Sequence, residues 1–271
     1  MKKGQILLVT AFLGCVICLL FGSRGLYNYY SWADEKTMSF PPKAIPVNDT
    51  LQVIMIGDSW AAYHDYYDSM MTRMLQEKLQ KPVSVTSSGM VGAKTKTIYE
   101  KMFDSISPIG TQKLIAKQPG YCIISAGIND AVAKMGTSNY CHHYGFIIKN
   151  LLSAGIKPIV LDMPDVDYNA VYQRESFISK IRHRLSSWFT NAPLWSFEEY
   201  RKALFHMISQ ENIKNDIIYI PATDWNPKGF GDPRELYAKD HIHLNKKGYQ
   251  ILDSCITSYI YRDFTSSHDS Q

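Results

Sequence analysis

The stretch "QVIMIGDSWAAYHD", residues 52–65, carries an apolar, strand-like run into Gly57-Asp58-Ser59 and then directly into a segment of helical character. Two readings of that junction compete. Gly-Asp-Ser is ordinary turn chemistry, in which Asp or Ser caps the helix that follows. Alternatively, the turn lifts a serine to the edge of a sheet as a nucleophile. Three residues alone do not decide between them.

Downstream, the same grammar repeats. "VSVTSSG" (83–89), "YCIISAG" (121–127), "KPIVLDMP" (157–164) and "NDIIYIPA" (215–222) read, with "QVIMIGD" (52–58), as buried strands. Between them lie helical patterns. Over residues 62–80, Tyr67, Met71, Met74, Leu75 and Leu79 recur at spacings of three and four, one face of a helix. Residues 139–155, 169–189, 196–213 and 245–262 read the same way. Strand and helix in alternation predict an α/β fold of three layers, α/β/α, around a five-stranded parallel sheet.

In such sheets, sites form beyond the carboxyl ends of the strands. There the first three strands present "GDS" (57–59), "SSGMVGAKT" (87–95) and "SAGIND" (125–130). Together they offer a hydroxyl, glycines whose backbone N–H groups can approach a ligand, and a side-chain amide donor, which are the parts acyl transfer needs. The missing base stands near the C-terminus in "YAKDHIHLNKKGYQIL" (237–252), where Asp240 precedes His243 by three residues. That spacing lets a carboxylate accept from one imidazole nitrogen while the other faces Ser59.

In this order the four blocks resemble the SGNH (GDSL-type) hydrolase superfamily, named for its Ser, Gly, Asn and His. The resemblance spans about residues 51–262 and implies that superfamily's flavodoxin-like fold. It further implies Ser59 as nucleophile, His243 as general base and then acid, and Asp240 as the residue that orients it. The backbone N–H groups of Ser59 and Gly92, with the Asn129 side chain, would form the oxyanion hole. Gly92 is preferred over Gly89, and the Asp-x-x-His spacing selects His243 over His241. Trp60 follows the nucleophile where many relatives carry Leu. Asp58 reads as a turn residue. The resemblance implies neither a cofactor nor a metal.

Other residues invite functional readings. His142 and His143 are adjacent, so on a helix they point about 100° apart, and no partner stands at metal-ligand spacing; they read as surface or partly buried. Asp162, Asp165 and Asp167 cluster after the fourth strand without forming a full calcium loop, which favours a polar rim. The Gly/Pro-rich span 222–240 reads as a substrate-covering loop, with Trp225 or Trp60 either stacking on a sugar or packing to hold that loop.

The 271 residues are 45% apolar, enough for one large core, and the formal charge of +4 is dispersed without a long basic run, which disfavours nucleic acid. Three of the five cysteines, Cys122, Cys141 and Cys255, lie in the body of the chain, too few and too scattered for a disulfide framework. After Met1-Lys2-Lys3, the uncharged run "ILLVTAFLGCVICLLFG" (6–22) reads as an uncleaved signal anchor in preference to a cleaved peptide, with the rest of the chain outside the cytoplasm. The expected organisation is therefore an anchor (1–22), a Pro-containing tether (23–50), a catalytic domain (51–263) and a flexible tail (264–271).

The function expected from these features is a serine esterase acting on O-acyl, foremost O-acetyl, esters of cell-envelope or surface carbohydrate. A polysaccharide O-acetyltransferase using the same triad, served by a multi-pass acyl-delivering membrane partner, is the alternative. A non-catalytic glycan-binding module is the second.

Overall fold

In a computed structural model of the chain, which describes residues 5, 9–16, 30–40, 50–190, 197–211 and 213–268, the five apolar runs form strands. These are β1 (Leu51–Gly57), β2 (Val83–Gly89), β3 (Tyr121–Ser125), β4 (Lys157–Leu161) and β5 (Ile218–Ile220). All pair in parallel in the order β2-β1-β3-β4-β5. A sheet covered by helices on both faces buries both sides of its inner strands. Accordingly, Val53, Ile54, Met55 and Ile56 of β1 and Cys122, Ile123 and Ile124 of β3 are buried without alternation. Edge strand β2 does alternate, with Val83 and Val85 inward and Ser84 and Thr86 exposed.

The helices are α1 (Ser59–His64), α2 (Asp68–Leu79), α3 (Thr95–Lys101), α4 (Gln112–Ile115), α5 (Ile128–Ala133), α6 (Thr137–Ser153), α7 (Tyr168–Arg174), α8 (Phe177–Thr190), α9 (Glu198–Gln210) and α10 (Lys246–His268). Helix α10 packs on α2, whereas α3 and α9 pack on α6. The result is the three-layer α/β/α architecture around a parallel sheet.

Several boundaries differ from the sequence reading. The helix expected over 62–80 is two helices joined by a 3₁₀ turn at Asp65–Tyr67, because His64 turns inward to a buried polar cluster. The segment 169–189 is likewise divided into α7 and α8 at Glu175-Ser176. The short helices α3, α4 and α5 carry too few turns to show a period. Helix α10 continues to His268, beyond the expected start of a flexible tail at 264, and its distal part is held by Asp263, which pairs with Lys157 and accepts from the Tyr121 hydroxyl at 2.9 Å.

The chain divides into two units, Met1–Asp34 and Glu35–Gln271. In the first, residues 9–16 are helical; among the described residues no helix is long and apolar enough to cross a membrane, and most of the apolar run 6–22 lies outside them. Pro41, Pro42 and Pro46 of the expected tether also lie outside the described residues. Residues 36–38, by contrast, are part of the second unit. Lys36 N–H donates to the Tyr99 hydroxyl, Met38 is buried and its N–H donates to Asn150 Oδ1 at 2.7 Å, and Asn150 Nδ2 returns a bond to the Lys36 carbonyl. Residues 36–38, within the expected tether, are thus tied to α3 and α6.

Candidate active site

The strand register sets the site. Gly57 is level with Gly89 of β2 on one side and Ser125 of β3 on the other, so the three loops leave the sheet at the same height. Because β2 and β3 lie on opposite sides of β1, the chain reverses its winding here, which opens a crevice at the carboxyl edge. Position 57 must be glycine, since a Cβ would stand 2.0 Å from the Ser125 carbonyl oxygen. The close approach lets Asp58 N–H donate to that carbonyl at 3.0 Å. Asp58 then caps α1, its Oδ1 accepting from Trp60 N–H at 3.0 Å. The turn reading of Gly-Asp-Ser holds, and the same turn sets Ser59 at the carboxyl edge of the sheet. Asp58 is the cap, and Ser59 opens the helix with a backbone N–H that has no intrahelical acceptor.

Ser59 Oγ lies 2.8 Å from His243 Nε2, and His243 Nδ1 lies 2.5 Å from Asp240 Oδ2. A carboxylate only accepts, so Nδ1 carries the imidazole proton and Nε2 is left to accept from the serine hydroxyl. The other oxygen of Asp240 accepts the backbone N–H groups of Ile242 and His243, each at 3.0 Å. Partial burial pushes the Asp240 carboxyl up, but the bond from His243 and the two backbone bonds outweigh it and hold the group below its ordinary value. The Asp-x-x-His turn is itself fastened: Ala238 N–H donates to the His243 carbonyl, and Tyr237 bridges to Leu244. His241 faces elsewhere, 3.3 Å from Asp167 and tilted against Phe230. Its left-handed backbone, φ 61°, makes the bend that separates the two histidines.

Across the crevice, Gly92 is exposed with φ 77° and open space where a Cβ would be, whereas Gly89 is wedged against Ala62 N and the Asp58 carbonyl. Gly92 is thus the glycine at the open rim and Gly89 the one that lets β2 approach α1. Asn129 Nδ2 donates to the Ala93 carbonyl at 3.0 Å and stands 3.5 Å from Asp58 Oδ2. The amide is thereby held between the chain neighbours of Gly92 and Ser59.

Three supporting residues escape the sequence reading. Asp130, fully buried, accepts the Thr95 N–H at 3.0 Å and the Thr95 hydroxyl at 2.8 Å, tying the Gly92 loop to the Asn129 helix. Burial pushes its carboxyl up to about 6 against those bonds. Tyr63 sets its ring edge-on to His243 at 4.9 Å. His64, fully buried at the end of α1, places Nε2 2.8 Å from Asp253 and Nδ1 3.0 Å from Asp68 and 2.8 Å from Ser87 Oγ. Asp130 stands next to the Asn of its block and Thr95 ends the glycine block, which is a usable signal; His64 has none, since its partners are up to 189 residues away.

Other expected site residues do not converge. Trp60 and Trp225 are buried, edge to face at 5.9 Å, so they pack the loop and present no stacking face for a sugar. Span 222–240 is held by its own bonds, with Arg234 forked onto Asp232 and Asn226 donating to Tyr237 at 2.7 Å; it is a brace for the Asp-His turn. Asp165 pairs with Arg201 and Asp167 with His241, while burial raises Asp162, so the three acids diverge. His143 is fully buried, not superficial; it donates to the Asn139 carbonyl, and burial lowers it to about 4.

Several solved structures share this fold at low sequence identity. A lipase/acylhydrolase from Enterococcus faecalis superposes with a TM-score of 0.52 at 16% identity, over 79% of this chain and 96% of that one. A lipase from a goat rumen metagenome gives 0.53 at 14%, over 78% and 98%. For the acetyl xylan esterase AlAXEase the values are 0.52 and 16%, over 79% and 99%. No curated protein sequence matches the chain. One family model does, that of the GDSL-like lipase/acylhydrolase family, over residues 55–251.

Proposed function

The chain belongs to the GDSL-like lipase/acylhydrolase family, and we propose that it is a serine esterase that removes O-acetyl groups from carbohydrate outside the cytoplasm. The observation that supports a catalytic reading is the continuous contact from Ser59 Oγ through His243 to Asp240. In this mechanism Ser59 Oγ attacks the ester carbonyl carbon while its proton passes to His243 Nε2. Charge on the carbonyl oxygen is received by the N–H groups of Ser59 and Gly92 and by the Asn129 side-chain amide. Asp240 stabilises the imidazolium without taking its proton. Collapse expels the sugar oxygen, which takes the proton from His243 and leaves an acyl-enzyme. Water, activated by the same histidine, then releases the acid and restores Ser59. Each preorganised donor contributes about a hundredfold or more in turnover.

Carbohydrate is the substrate class to try first for two reasons. An acetyl xylan esterase shares the scaffold, and residues 6–22 act, in this proposal, as an anchor that places the catalytic unit outside the cytoplasm. The test is turnover of p-nitrophenyl acetate and of acetylated oligosaccharide by wild type, Ser59→Ala and His243→Ala. Loss of turnover in both variants with folding retained is expected. Wild-type turnover in Ser59→Ala overturns the serine mechanism. Acetyl groups appearing on an added oligosaccharide acceptor reassign the enzyme as a transferase.

A further inference from the structure

Helix α8 is built the wrong way round for a helix of a soluble domain. At about 100° per residue, Phe177, Trp188, Ile181, Leu185 and Ile178 fall, in that order, within one arc of about 100°. That arc should be the buried one. Instead Phe177, Ile178 and Trp188 are 77%, 78% and 76% exposed, and Ile181 and Leu185 are exposed with them. The side turned toward the protein carries His183 and Ser186, at 3% and 4% exposure, with His183 3.0 Å from Glu175.

Charge follows the same geometry. Lys180 and Arg184 lie on one margin of the apolar arc and Arg182 on the other, and "FISKIRHRLSSWFT" contains no Asp or Glu. Lys180 reaches back to α7, its ammonium 5.1 Å from the centre of the Tyr172 ring. An apolar stripe with Trp and Phe at its two ends and cations along its margins matches a helix lying in a bilayer interface, with rings among the acyl chains and cations among the headgroups. Phe177 and Trp188 are about 16 Å apart along the axis at about 1.5 Å per residue, so both can enter only if the helix lies flat.

We propose that α8 is a membrane-interface helix that docks the catalytic unit on an anionic lipid surface through Phe177, Ile178, Ile181, Leu185 and Trp188. A peripheral protein partner would have to supply both an apolar groove and acidic flanks, whereas an anionic bilayer supplies both by its nature. Chain length agrees with the proposed anchor. Only residues 23–35 separate the run 6–22 from Lys36, which is fastened to Tyr99. Fully extended, those residues reach about 45 Å, which keeps the unit near the bilayer.

The test reconstitutes the full chain in phosphatidylcholine vesicles with or without phosphatidylglycerol, doped with a phosphatidylcholine bearing a photoactivatable acyl chain, and maps lipid adducts by mass spectrometry. Adducts are expected in 177–190 and are expected to increase with phosphatidylglycerol. Lys180→Gln and Arg184→Gln should each reduce them about fivefold, the worth of one cation near an anionic surface. The pair Phe177→Ser/Trp188→Ser should abolish them there while adducts in 6–22 and turnover of p-nitrophenyl acetate persist, which separates lost docking from lost folding. Absence of adducts from 177–190 in the wild type overturns the proposal. So does labelling indifferent to lipid charge and to the substitutions. Cross-links through 177–190 between protein copies, in place of lipid adducts, would assign the face to a protein partner.

Discussion

His64 provides the sharpest test of how α1, the helix that Ser59 opens, is held. Both ring nitrogens face carboxylates, Asp68 at 3.0 Å and Asp253 at 2.8 Å, with Ser87 Oγ beside the first and the Tyr249 ring against the imidazole. Burial by itself lowers His64, but the bonds to Asp253 and Asp68 outweigh it and raise it from 6.5 to about 9. Asp253 is raised by burial despite the same contact, its second oxygen buried without a partner among the described residues. The geometry at His64 favours the cation, because each ring N–H then has a carboxylate acceptor while the Ser87 hydroxyl donates to Asp68.

A histidine raised on folding contributes stability that is complete below its unfolded value of 6.5 and lost as pH climbs through about 9. At about 1.4 kcal/mol per tenfold change in proton affinity, the rise corresponds to about 3 kcal/mol. Urea unfolding followed by tryptophan fluorescence should show this loss between pH 6 and 10. Other groups titrate nearby, Lys134 lowered by burial to about 8 and acting in the opposite sense. The double variant His64→Gln/Asp253→Asn therefore serves as the reference, neutral at both positions. The advantage of wild type over that variant should shrink by about 3 kcal/mol, to order of magnitude, across the window. An advantage constant from pH 6 to 10 would refute the buried imidazolium and with it this account of what fixes α1.

The remaining predictions concern the site directly. Asp240→Asn removes the acceptor that holds the Nδ1 proton of His243 in place, and kcat should fall by about a thousandfold or more with KM little changed, read by steady-state hydrolysis of p-nitrophenyl acetate. Gly57→Ala places a methyl group 2.0 Å from the Ser125 carbonyl; the backbone must give way, and a loss of about 3 kcal/mol or more in chemical denaturation is expected. Thr95→Val removes one hydroxyl bond to buried Asp130 and should lower stability by about 1–3 kcal/mol, while kcat/KM falls because the Gly92 loop loses its tie to α5.

The all-parallel sheet was legible because inner strands buried on both faces must be continuously apolar, and the runs around Val53–Ile56 and Ile123–Ile124 are. Ser59, Asp240 and His243, which the fold brings into contact, could be singled out in the chain for a local reason. A serine at a strand end and an acid three residues before a histidine leave their spacing in the sequence. Short helices such as α5, with fewer than two turns, leave no period to read.

What the sequence by itself determined is therefore the fold class, the family and the order of its motifs, since residue type and near-neighbour spacing are properties of the chain. Only the tertiary structure decided which residues meet. It seated His64 between Asp68 and Asp253, buried Trp60 and Trp225 against each other, and bound residues 36–38 to α3 and α6. It also turned the apolar face of α8 outward. Each depends on contacts between segments far apart in the chain or on which face of an element the rest of the fold covers. A helical pattern encodes the existence of an apolar face, but not what will lie against it.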